Sequence, residues 1–109
     1  MLNPLEALIS KQLARFQEGL AQTMVELGEA VIEGTAAEGR IVVRVSGLGQ
    51  VLGMEIAPEL ATAENTEELA ALVVEAINDA LAQARELKRQ KLAANTPLGA
   101  MGVDIPDIL

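Results

Sequence analysis

Arg40-Ile41-Val42-Val43-Arg44-Val45-Ser46-Gly47-Leu48-Gly49-Gln50-Val51-Leu52-Gly53-Met54-Glu55-Ile56 reads as two strands joined by a turn. Ile41, Val43 and Val45 alternate with Arg40, Val42 and Arg44, and Leu52, Met54 and Ile56 alternate with Val51, Gly53 and Glu55. A period of two places each set on one face of a pleated sheet. Gly47–Gln50 supplies the turn, and Pro58 closes the block. Upstream, Ala30 and Ile32 alternate with Glu29, Val31 and Glu33, and Gly34–Gly39 supplies a second turn. Because a one-residue slip would turn a strand's apolar set outward, the pattern selects a register. Ile32 is expected opposite Ile41 and Ala30 opposite Val43, with Ile41 facing Ile56, Val43 facing Met54 and Val45 facing Leu52. On the other face Glu33 meets Arg40, Val31 meets Val42 and Glu29 meets Arg44. The expected unit is a three-stranded antiparallel meander.

The period changes to 3.6 on both sides of this block. Asn3-Pro4-Leu5-Glu6 has the form of a capping box with proline at the first helical position. Leu2, Leu5, Ile9, Leu13, Phe16, Leu20, Met24 and Leu27 then make one stripe, and Gly28 is a candidate stop. Asn65-Thr66-Glu67-Glu68 repeats the capping signature. Leu69, Leu72, Val73, Ala76, Ile77, Ala80, Leu81 and Ala84 carry a second apolar face, ending near Ala94 before Asn95 and Pro97. The reading is an α+β fold, α-β-β-β-α, with a three-stranded antiparallel meander and two long helices. Residues 1–95 form a single domain, and 96–109 a flexible tail with two prolines and two glycines.

A helix over 66–94 is about 43 Å long, whereas a strand of six or seven residues spans only about 20–23 Å. The second helix therefore overhangs the sheet, and Leu81, Ala84, Leu87 and Leu92 on the overhang have only the first helix to cover them. The meander also leaves two edges, and Val31, Val42 and Val51 on its outer face. A homodimer is the simplest remedy for both.

Composition removes whole classes of function. The 109 residues include one aromatic, Phe16, and no Cys, His, Trp or Tyr. Disulfide scaffolds, the usual zinc, haem and iron–sulfur ligands, and Cys or Ser–His nucleophiles are thereby excluded. Stacking platforms for single-stranded nucleic acid have at most one ring. Glu75 and Asp79 are a carboxylate pair at i,i+4, but Glu68 and Glu86 continue the same acidic stripe, as on a solvated helix face. Ser10 and Ser46 lack a base. Gly47-Leu48-Gly49 resembles a phosphate loop, yet two strands flank it, so it reads as a hairpin. No enzyme and no cofactor are expected. No apolar run reaches membrane-span length and no signal pattern opens the chain, so a cytoplasmic protein with no membrane contact is expected.

Eight basic residues stand against sixteen acidic ones, a net charge of −8. That average conceals a cluster. Arg85, Lys88, Arg89 and Lys91, with Glu86, give residues 84–92 a local charge of +3 and leave −11 for the rest. On the first helix Lys11 and Arg15 lie opposite the apolar stripe, with Glu18 beside them. A segregated basic patch on an overhanging helix suits phosphate contacts, although basic residues near a helix C-terminus also serve its dipole. Arg40 and Arg44 are accounted for by cross-strand pairing with Glu33 and Glu29.

The strand block and second helix resemble the YbaB/EbfC family of bacterial nucleoid-associated proteins. Carrying the resemblance are Gly39, Ile41-Val42-Val43-Arg44-Val45, Gly47, Met54-Glu55-Ile56-Ala57-Pro58, Leu69, Leu72-Val73 and Ala76-Ile77-Asn78-Asp79-Ala80. It covers about residues 5–92. It implies a tweezer-like homodimer that binds duplex DNA with little sequence preference in the nucleoid, through its projecting helices. By position this points to Lys11, Arg15, Arg85, Lys88, Arg89 and Lys91. With so acidic a chain, the affinity should be weak and steeply salt-sensitive. The alternative is a protein-interaction module, in which Leu87, Leu92 and Ile105–Leu109 hold a protein partner.

Overall fold

A computed structural model of the chain describes residues 3–95. The elements follow in the expected order: α1 (Pro4–Glu29), β1 (Val31–Ala36), β2 (Ile41–Ser46), β3 (Val51–Ile56) and α2 (Thr66–Asn95). Two 3-10 turns, Pro58–Leu60 and Ala63–Asn65, lead into α2. The sheet is an antiparallel meander in the order β1-β2-β3. The tail 96–109 lies outside the described residues.

The capping box at the start of α1 is formed. Asn3 Oδ1 accepts from the Glu6 amide at 2.8 Å, and the Asn3 amide donates to Glu6 Oε2 at 3.4 Å. Gly28 does not end this helix: α1 runs to Glu29, and the Ala30 amide donates to the Glu26 carbonyl at 3.0 Å. At α2 the Asn65 side chain instead donates to the Leu60 carbonyl at 2.9 Å, bracing the 3-10 turns.

The first hairpin departs from the expected register by four positions. Ile32 lies opposite Val45, Glu33 opposite Arg44, and Ala36 opposite Ile41. The displacement is even, so every side chain keeps its face. Its cause is Gly34, which is a strand residue and not a turn residue. A Cβ there would run into the Ala76 carbonyl oxygen and the Ala80 nitrogen, and would sit 2.6 Å from the Ala80 Cβ. Glycine lets the β1 backbone lie against α2. The reversal is compressed into Ala37–Arg40, and Ala37 (φ 53°) and Glu38 (φ 59°) take left-handed conformations. Each costs about 1–2 kcal/mol, offset by docking β1 on α2. In the second hairpin Ile41–Ile56 and Val43–Met54 pair as expected. An irregularity between Arg44 and Val45 then sets Val45 opposite Val51 instead of Leu52.

The core lies between α2 and the first two strands. Ala36, Ile41, Val43 and Val45 pack with Ala76, Ala80, Ala84 and Leu60. The alanines, spaced four apart, are the part of α2 small enough for so close an approach. The same helix also closes an edge of the sheet. Asp79 Oδ2 accepts from the Thr35 amide at 3.0 Å, and Gln83 Nε2 donates to the Glu33 carbonyl at 3.0 Å. The β1 edge is thereby blocked, while Leu52 and Met54 on β3 remain exposed.

The overhang of α2 is covered by the end of α1. Lys91 Nζ meets Glu26 Oε2 at 3.3 Å, and Thr23, Leu27, Ala84 and Leu92 are all buried. The Gly47 amide donates to the Leu27 carbonyl at 2.8 Å, an approach that a Cβ on Gly47 would obstruct at 2.6 Å from that oxygen. What projects uncovered is the first half of α1. Residues 3–15 are exposed throughout, including Leu5, Leu8, Ile9 and Leu13. The described chain measures 72 × 22 × 17 Å.

Candidate nucleic-acid interface

Two helices carry the six basic residues singled out by the sequence, and the structure sorts them into three settings. Arg89 and Lys91 are engaged with acids. Arg89 Nη2 lies 2.6 Å from Glu86 Oε1, and its Nε donates to Glu86 Oε2 at 3.0 Å. Hydrogen bonding from Arg89 is the main cause holding the Glu86 carboxyl below its ordinary range, and Gln90 Nε2 adds a bond at 3.1 Å. Lys91 belongs to the ion pair with Glu26 that ties the two helices together.

Arg85 and Lys88 have a different setting. They sit on the stretch of α2 that passes under the β2–β3 turn, and with Gly47, Leu48, Gly49, Leu81 and Ala84 they line an open cleft of about 150 Å³. No carboxylate lines it. Lys11 and Arg15 occupy the third setting, the projecting half of α1, where both are exposed. Among the described residues, neither these two nor Arg85 and Lys88 have a carboxylate within 4.0 Å.

The helices run antiparallel, because Glu26 meets Lys91 while Leu27, one residue on, meets the turn above Arg85 and Lys88. Arg15 and Lys11 therefore lie beyond the Lys91–Glu26 contact, roughly 25–30 Å from Arg85 at 1.5 Å per residue. The six residues form two separated cationic positions with a paired segment between them.

Two strand arginines have partners other than those expected. Arg44 lies 3.4 Å from Glu33, which the displaced register sets opposite it, and 3.2 Å from Glu55 on β3. Arg40 Nε donates to the Ala37 carbonyl at 3.0 Å, inside the compressed turn. Asp79 has a structural position at the β1 edge, so the Glu75–Asp79 pair is not a free carboxylate dyad. The β2–β3 turn is the hairpin the flanking strands imply. Its place against Arg85 and Lys88 was beyond reach of the sequence, where Gly49 and Arg85 are 36 positions apart.

The chain is a small α-β-β-β-α protein with six of its eight basic residues on its two long helices. The chain belongs to the YbaB/EbfC DNA-binding family, whose model matches residues 5–100. It is 33% identical over 98 residues to a nucleoid-associated protein of Alkaliphilus metalliredigens, covering 90% of this chain and 82% of that one. It is 35% identical over 103 residues to a nucleoid-associated protein of Methylococcus capsulatus, covering 94% and 92%. The fold is shared with the crystal structure of an uncharacterized protein from Helicobacter pylori, with a TM-score of 0.70 at 20% identity over 87% of this chain and 97% of that one.

Proposed function

We propose that this protein is a non-enzymatic, nucleoid-associated homodimer of the bacterial cytoplasm that contacts duplex DNA through backbone phosphates. The observation that carries the reading is the segregation of charge. In a chain of net charge −8, Lys11, Arg15, Arg85 and Lys88 stand clear of every described carboxylate, on the two helices. Family membership and the names of the relatives support the same reading. Point charges without accompanying Asn, Gln or aromatic clusters report phosphate and not base identity. Two cationic positions roughly 25–30 Å apart would address phosphates separated by most of a B-DNA turn, about 34 Å.

The uncovered stripe of Leu5, Leu8, Ile9 and Leu13, together with Leu52 and Met54 of β3, supports the homodimer. A second copy would bury these surfaces and bring two sets of cations onto one duplex. Residues 1–95 would act as the domain and 96–109 as its tail.

Anisotropy of a labelled duplex, titrated with full-length protein between about 20 and 200 mM salt, tests the function. Affinity should fall along a steep log–log line, alike for unrelated sequences, and solution mass should be that of two chains. Absence of binding at the lowest salt would remove DNA as the partner and leave the protein-interaction reading. Arg85→Glu with Lys88→Glu should weaken all duplexes alike; a loss confined to one sequence would refute the phosphate reading.

A further inference from the structure

The cleft between the β2–β3 turn and α2 differs from a merely basic helix face in three respects. It is walled on both sides, by Gly47-Leu48-Gly49 from the turn and by Leu81, Ala84, Arg85 and Lys88 from the helix. It contains two cations and no carboxylate, in a chain with twice as many acids as bases. Its volume of about 150 Å³ is several times the roughly 30 Å³ that one water occupies in the liquid.

The hydrogen bonds of the turn restrict what such a cleft takes. The Gly47 amide is used by the Leu27 carbonyl, and the Gly49 amide by the Ser46 carbonyl at 2.9 Å. Leu48 and Gln50 both donate to Ser46 Oγ, at 3.3 and 3.2 Å. Four successive N–H groups are therefore committed, and the turn cannot form the amide cradle that binds a multiply charged phosphate. Only the guanidinium and the ammonium remain to meet an anion. Two such donors with one open side suit a singly charged phosphodiester within a larger molecule better than a free di- or triphosphate.

We infer that this cleft seats one phosphodiester of the DNA backbone, held by Arg85 and Lys88 against the β2–β3 turn. Arg89 and Lys91 are structural ion-pair partners and not DNA ligands. The inference rests on the DNA-binding reading and refines it, because it divides six candidate residues into those that contact DNA and those that do not. It also gives Leu48, half-exposed at the cleft wall, a part in the interface.

The test uses full-length protein and the labelled duplex, with each variant's melting checked by circular dichroism. Arg85→Gln with Lys88→Gln should lower the salt slope by about 0.9 for each cleft occupied. Arg89→Gln with Lys91→Gln should leave the slope unchanged. Leu48→Glu places a carboxylate at the seat without touching a cation and should weaken binding at least about fivefold. Ala70→Glu makes the same change in net charge on an exposed turn of α2, and should have little effect. Inorganic phosphate or ATP should compete no better than sodium chloride of equal ionic strength; selective competition by either would show a free-phosphate site and overturn the assignment. If wild type binds but Arg85→Gln/Lys88→Gln keeps its slope, or Leu48→Glu behaves as Ala70→Glu does, the seat is wrong and the DNA reading survives. If wild type does not bind, both fall.

Discussion

The two long helices put their largest side chains in opposite places. On α2 the fully buried positions against the sheet are alanines, Ala76, Ala80 and Ala84, whereas the first half of α1 leaves Leu5, Leu8, Ile9 and Leu13 in solvent. Burial here follows what lies opposite a residue more than how apolar it is. Ala76 and Ala80 face Gly34, where the helix backbone leaves no room for even a Cβ, and Ala84 lies beneath the β2–β3 turn. The leucines face nothing within the described chain. One helix completes the fold of a single chain, and the first half of the other keeps its apolar side chains uncovered.

The largest effect should come from the covered side. Ile41→Ala removes a fully buried side chain and should lower unfolding stability by about 2–5 kcal/mol at any protein concentration. Leu8→Ala should cost little in a dilute sample and more as concentration rises, because in the proposed dimer its loss is one of association. Urea titrations at two concentrations separate the cases. Equal, concentration-independent losses would break the comparison between the helices.

Gly34→Ala comes next, at about 1–3 kcal/mol, since the new methyl must displace helix backbone and not a flexible side chain. Gly53→Ala, with nothing within 4 Å of the added carbon, should stay within about 0.5 kcal/mol. The same denaturation curves measure both, and parity between the glycines would overturn the close-approach account.

Asn3→Ala should weaken the α1 cap by about 1 kcal/mol. At the end of an uncovered helix this should appear as faster amide exchange over Glu6 and Ala7, with the global midpoint hardly moved.

The smallest effect concerns Glu86. Its carboxyl is held below the ordinary 4.5 by Arg89, so the pair's contribution is present above 4.5 and is lost as pH falls through the lower folded value. Arg89→Gln should move the Glu86 carboxyl titration, followed by NMR, up toward 4.5. An unmoved midpoint would remove Arg89 as the cause.

Much of the fold was legible because it depends on periods. Alternation assigned the faces of β1 and β2, and a register displaced by four left those faces intact; at the start of β3 the irregularity puts Val51 opposite Val45, where alternation put Leu52. The compressed turn was not legible, because it answers to the contact of β1 with α2 and not to neighbours in sequence, and no local signal marked the irregularity at Arg44/Val45. Gly34 shows this most clearly. Before the turn residues Ala37–Gly39 it reads as part of a loop, and only the helix backbone lying over it makes it a strand residue. The candidate site divides in the same way. Charge counting located the cluster at 85–91, and the pairing of Arg89 with Glu86 follows from their i,i+3 spacing on one helix, but the pairing of Lys91 with Glu26 and the turn placed over Arg85 and Lys88 are products of packing.

By itself the amino-acid sequence determined the order of elements, the apolar face of each strand, the cap of α1 and the place where positive charge collects. All of these rest on residues within a few positions of one another, where backbone geometry alone sets the neighbourhood. Only the tertiary structure decided which glycine lies against a helix, which edge of the sheet is closed, which helix projects, and which cations lie beneath the β2–β3 turn. Those outcomes depend on residues brought together across tens of positions, and it is the contact they make, not their spacing, that settles their energies.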